Sequence, residues 1–116
     1  MVLMHTVVEL PGFQRDAAKW MTPEAVGDLI AHLAWNPDAG VLIPGSGGFR
    51  KLRWYRDGMG KRGGLRVVYF YAHEGHPVFL AKLYAKNDKA NLTAQETAEL
   101  GSIAKLLLRR YGGIDE

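Results

Sequence analysis

At 116 residues, with 47% hydrophobic and 23% charged side chains, the chain has the size and make-up of one globular domain that buries a core without cross-links. It has no cysteine, which excludes a disulfide framework, a thiolate metal site and a cysteine nucleophile. The net charge of +3 is segregated: Phe49 to Arg66 sets seven cations against one acid, Asp57, for +6, while the remainder sets eight against eleven.

A concentrated positive field of this kind favours a polyanionic partner by raising its local concentration and on-rate. The first residues, MVLMHTVVEL, carry no basic region ahead of a short apolar run, so no signal peptide is expected. No apolar run approaches the roughly 18 residues of a membrane span. Together with the missing cysteines, this leads to the expectation of a cytoplasmic protein without membrane contact.

In chain order, Thr6 to Leu10 (TVVEL) reads as a strand ended by Pro11-Gly12. Phe13 to Trp20 reads as a short helix with Phe13, Ala17 and Trp20 on one face. Thr22-Pro23-Glu24 then supplies an N-cap, a proline at the first helical position and an acid in the first turn. Val26, Leu29, Ile30, Leu33 and Ala34 follow at the spacing of a core-facing helix, which Asn36-Pro37 ends. Residues 36 to 48 (NPDAGVLIPGSGG) read as a loop. Phe49 to Tyr55 is a strand, Arg56 to Gly63 its connecting loop and Gly64 to Ala72 a second strand. His73 to Pro77 makes a tight turn into a third strand, Val78 to Lys86. Thr93 with Glu96 forms a capping box for a last helix, along which Leu100, Ile103, Ala104, Leu107 and Leu108 recur until Gly112-Gly113. The order β-α-α-β-β-β-α predicts an α+β domain over residues 1–116, a small antiparallel sheet with helices packed on one face.

Neither PGSGGFRK nor GMGKRGG has the spacing of a nucleotide phosphate loop, and neither leads into a helix. His73 and His76 lack a third ligand at useful spacing and read as water-exposed turn residues. Strand parity is more informative, because alternate residues share a face. Lys51 and Arg53 point with Phe49, and Arg66 points with Val68 and Phe70. Lys82, Tyr84 and Lys86 point one way on the third strand, with Phe79, Ala81, Leu83 and Ala85 pointing the other. Lys51, Arg53, Lys82, Tyr84 and Lys86 are thus expected on an open sheet face. Arg66 joins them if its register allows, and Arg50 points inward unless a bulge re-aims it. The three strands carry no acid, and basic residues interleaved with aromatics on a sheet suit RNA. Such a patch permits RNA cleavage without histidine or metal, since the 2′-hydroxyl of the substrate is itself the nucleophile. A Lys or Tyr there serves as base or acid if neighbouring cations draw its pKa towards neutrality.

PGSGGFRKLRW, GKRGGLRVVYFY and LAKLYAKNDKANLT resemble the RelE/ParE superfamily of bacterial toxins, nearest its HigB-type (phage Gp49-like) branch. The element order is similar too. The resemblance implies the toxin of a type II toxin–antitoxin system, a ribosome-dependent mRNA interferase that cuts in the A site by 2′-hydroxyl attack, with no metal or other cofactor. It implies a helix-turn-helix antitoxin, the ribosome and mRNA as partners, with operator DNA reached only through the antitoxin. By motif, Lys51, Arg53, Arg66, Tyr84 and Lys86 are the catalytic residues, Arg66 stabilising the phosphorane and Tyr84 and Lys86 orienting the nucleophile or exchanging protons. Arg50, Arg56, Lys61, Arg62 and Lys82 are assigned to RNA binding. The functional tyrosine or histidine of relatives, in or near the last helix, has only Tyr111 as its counterpart, which leaves the general acid and base open. The ParE branch shares the fold but acts on gyrase, so a toxin acting by protein binding and a plain RNA-binding module stand as alternatives.

Overall fold

The described residues form a sheet of five strands, and the order of the strands is not their chain order. The computed structural model describes residues 4–56 and 60–111, with the backbone alone at 56 and 60–63. Along the chain come β1 (Val7–Glu9), α1 (Pro11–Trp20), α2 (Pro23–Trp35), β2 (Val41–Leu42), β3 (Phe49–Arg56), β4 (Gly60–Phe70), β5 (Val78–Ala85) and α3 (Ala94–Tyr111). They assemble in the order β1-β5-β4-β3-β2. The α+β class and the predicted order of elements hold, with β2 as a two-residue addition inside the expected loop. Because β1 is separated from its partner by two helices and three strands, no tight turn constrains it, and it pairs with β5 in parallel. The sheet is therefore mixed rather than purely antiparallel.

The caps follow the sequence. Thr22 Oγ1 accepts from Ala25 N at 3.1 Å at the start of α2, and Pro23 takes the first helical position. At α3 the capping box closes both ways, with Thr93 Oγ1 accepting from Glu96 N at 3.0 Å and Glu96 Oε1 from Thr93 N at 2.8 Å. Pro11, which reads as a strand terminator, is instead the first residue of α1.

The helices do not share one face. Leu65, Val67 and Tyr69 of β4 pack with Phe13 and Ala17 of α1 and Leu29 and Leu33 of α2. Val68 and Phe70, on the opposite side of the same strand, pack with Leu100, Ala104 and Leu107 of α3. Every residue from Leu65 to Phe70 except Arg66 is buried, the signature of a strand covered on both sides. Phe49, Phe70 and Phe79 form the aromatic row beneath α3, each worth about 1.5–3 kcal/mol on burial.

A bulge corrects the parity expected for β5. Tyr69 pairs with Leu80 and Val68 with Lys82, so Ala81 is an extra residue. Phe79 consequently lies under α3, whereas Leu83 and Ala85 face α1 and α2. Past the end of β1 the outer edge of β5 is completed from α1, where Asp16 Oδ2 accepts from Leu83 N at 3.0 Å.

Two further expectations change. His76 is buried, not water-exposed; its Nδ1–H donates to Pro77 O at 2.8 Å, and its ring meets Phe70 and Phe79 edge-on. The glycine-rich loop before β3 is a packing device. Gly47 has φ +77°, and a Cβ on it would sit 3.0 Å from Ala104 Cβ on α3. Between the glycines, buried Ser46 donates to Ile43 O at 2.7 Å and accepts from Phe49 N at 3.0 Å.

Candidate nucleic-acid interface

The register of the sheet sets the site. Arg53 on β3 is the direct partner of Arg66 on β4, and Arg66 is the direct partner of Tyr84 on β5. One row over, Lys51 pairs with Val68 and Val68 with Lys82. Partners across strands lie roughly 5 Å apart and successive same-face rows roughly 7 Å apart. The cations therefore come together on the α3 side of the sheet, beyond the aromatic row.

Lys51, Arg53, Arg66 and Lys86 line one open groove of about 540 Å³, together with Val41, Ala90 and Asn91. The groove unites four of the five side chains assigned to catalysis, and the register brings in Arg66. Asn91, which sequence reasoning did not single out, adds a carboxamide able to donate and accept. Its only signal was its place in the LYAKNDKANLT segment. Among the described residues, no carboxylate lies within 4.0 Å of Lys51, Arg53, Arg66 or Lys86. Like charges directly opposite on neighbouring strands destabilise a sheet, so Arg53 facing Arg66 works against the fold. A second groove, about 610 Å³ between α1 and α2, has Glu9 as its sole charged lining residue and offers nothing to phosphate.

Tyr84 is the exception. It is 7% exposed, packed under α3, and does not line the groove. Its hydroxyl is buried without a hydrogen-bond partner among the described residues. Burial pushes its pKa up, against the opposing pull of the nearby Arg66 cation and with the help of the Glu96 charge. The shift expected from neighbouring cations is thus outweighed by desolvation, and the phenol stays neutral.

The residues assigned to RNA binding scatter. Arg50 lies on the opposite side of β3 from Lys51, where its Nη1 donates to Gly40 O at 2.8 Å and Asp38 O at 3.3 Å. Gly40 N in turn donates to the buried Tyr69 hydroxyl at 2.7 Å, which fixes that loop. Lys82 sits 4.0 Å from Glu96, whose carboxylate also takes a hydrogen bond from Lys89. That bond, the capping contact with Thr93 and the charges of Lys89 and Lys82 hold Glu96 below the usual carboxylate range despite its partial burial. An acid therefore reaches the edge of the basic face from α3, although the strands carry none. Arg56, Lys61 and Arg62 belong to strands rather than a loop, for the ladder runs on to pair Arg56 with Gly60; their side chains lie outside the described residues. Tyr111 packs its ring on Phe79, 5.2 Å between centroids. Phe79 and Lys86 are at opposite ends of β5, roughly 20 Å apart at 3.3 Å per residue. Tyr111 is therefore remote from the groove.

Among the described residues no three His, Cys, Asp or Glu side chains gather around a common point, and no helix is long and apolar enough to cross a membrane. The fold and groove define a small α+β protein with four groove cations that have no ion-pair partner among the described residues. The model of the family described as the RelE toxin of the RelE/RelB toxin–antitoxin system matches residues 16–112, and the chain belongs to that family. It is a toxin of a toxin–antitoxin system, with an antitoxin as its partner.

Proposed function

We propose that this toxin is an endoribonuclease that cuts mRNA on the ribosome by metal-independent attack of the 2′-hydroxyl on the adjacent phosphorus. The observation that carries the reading is the convergence of Lys51, Arg53, Arg66 and Lys86, without an ion-pair partner among the described residues, on one groove. In the reaction O2′ loses its proton and bonds to phosphorus, the P–O5′ bond breaks, and O5′ takes up a proton. The products are a 2′,3′-cyclic phosphate and a 5′-hydroxyl. Charge builds on the non-bridging oxygens of the phosphorane, where guanidinium forks are suited to receive it. Arg66, half-buried and flanked by strands on both sides, is the more rigid of the two arginines and is assigned that role, with exposed Arg53 gripping the backbone. Arginine does not give up its proton, so of the described groove residues only Lys51 and Lys86 can carry the two proton transfers. Tyr84, neutral and enclosed, is a positioning residue beside Arg66, its cross-strand partner.

The similarity of the strand motifs to the HigB-type branch supports the ribosomal A site as the place of cleavage, and a helix-turn-helix protein as the antitoxin that brings the toxin to operator DNA. The test is primer extension on translating ribosomes given the purified toxin. Cuts within A-site codons, ending in a 2′,3′-cyclic phosphate, are expected. Intact mRNA together with inhibited gyrase would replace this reading with a ParE-like one.

A further inference from the structure

Opposite the basic groove, β3 carries a second feature. His32 of α2 and Leu52, Trp54 and Tyr55 of β3 line a cleft of about 300 Å³, and Arg53 lines it as well. In a regular strand Trp54 and Tyr55 would point to opposite faces. The ladder shifts register between Trp54 and Arg56, and the two rings stack instead, 13° from parallel with centroids 5.4 Å apart. The imidazole of His32 stands 5.3 Å from the Trp54 ring, tilted by 47°. Tyr55 is 48% exposed, so one aromatic plate is open to a ligand.

Resting on the ribonuclease reading above, we infer that this cleft is a base-stacking subsite, which holds one unpaired nucleobase of the RNA whose backbone lies in the basic groove. Three observations favour a base over another occupant. The walls are flat π-surfaces, which any nucleobase matches. Among the described residues no acid lines the cleft or the groove, so none of them repels an RNA strand that passes from one to the other. Among the described residues β2 pairs with β3 only at Arg50 and Lys51, so the outer edge of β3 has no partner strand there from Leu52 onward and offers a passage between the two sites. Arg53, lining both sites, stands at the crossing and can pair with the phosphate that joins the two nucleotides.

The test uses ribosomes programmed with mRNA that carries 2′-deoxyriboses through the A-site codon and therefore resists cleavage. Affinity is measured for the wild-type toxin, Tyr55→Ala and Tyr55→Phe, on this template and on templates with one abasic nucleotide at successive positions in and beside the codon. Tyr55→Ala should weaken binding roughly 5- to 150-fold, and Tyr55→Phe should restore it. One abasic position should weaken the wild type by a similar factor, and the two losses should not add. Additive losses at every position, or an unchanged affinity of Tyr55→Ala, would overturn the subsite while leaving the ribonuclease reading intact. A Tyr55→Ala loss confined to antitoxin binding would also overturn it, giving the cleft to a protein side chain. Failure of the wild type to bind the ribosome at all would overturn both readings.

Discussion

Two ends of one sheet face, built on the same three strands, are finished in opposite ways. At one end Phe49, Phe70 and Phe79 form a row under α3, sealed and neutral. Two rows on, Arg53 faces Arg66, with Lys51 and Lys86 close by and no counter-ion among the described residues. The start of α3 separates the two: Glu96, in its first turn, reaches Lys82, and the helix then runs towards Phe79 and away from the groove. The comparison teaches that position along the strands, not the choice of face, divides the covered, apolar end from the open, cationic one. The covered end supplies the folding energy that allows the open end to hold like charges together.

Substitutions that separate the two ends test this division. Phe70→Ala should have the largest effect, lowering stability by about 3–5 kcal/mol in urea unfolding, with any loss of cleavage following the unfolded fraction. Arg66→Ala should lower cleavage on programmed ribosomes by roughly 10²- to 10³-fold, as for removal of a donor to a developing oxyanion. Its unfolding midpoint should hold to within about 0.5 kcal/mol, because it also relieves the repulsion with Arg53. A comparable collapse of stability in Arg66→Ala would erase the distinction between the ends. Tyr84→Phe removes a buried hydroxyl that has no partner among the described residues, so stability should change by less than about 1 kcal/mol. Cleavage by that variant should fall by no more than about threefold; a loss of 10²-fold or more would place the phenol in proton transfer.

The smallest effect concerns pH and belongs to the covered end. Burial holds the pKa of His76 below its ordinary 6.5, with the Pro77 hydrogen bond opposing and His73 assisting. As pH falls below about 6.5 the unfolded chain takes up this proton before the folded one does. The unfolded state then binds more protons, and stability drops with falling pH. Urea midpoints from pH 7.5 to pH 5 should decline more steeply in the wild type than in His76→Gln, and equal slopes would remove His76 from the account.

Much of the fold was legible in the residues. Thr22-Pro23-Glu24 and Thr93 with Glu96 marked two helix starts, because capping is a local matter of one side chain and nearby amides. The sharing of a face by Lys51 and Arg53 followed from a strand period of two. The parity of β5 did not, because one extra residue at Ala81 inverts all that follows, and nothing in VFLAKLYA announces it. His76 was misread because a turn sequence does not reveal which aromatic rings close over it. Glu96 was read as a cap alone, and its reach to Lys82 and Lys89 depends on where α3 lands.

By itself, then, the sequence determined the order of the elements, the caps, and the concentration of cations between Phe49 and Arg66, since each depends on neighbours within a few residues. Tertiary structure decided which cations converge. Strand register set Arg53 against Arg66, the crossing of α3 enclosed Tyr84 while leaving Lys86 open, and the loop from α2 held Arg50 to backbone carbonyls. The reason is physical: local signals fix backbone conformation, but a charge remains available only where no distant part of the chain covers or neutralises it.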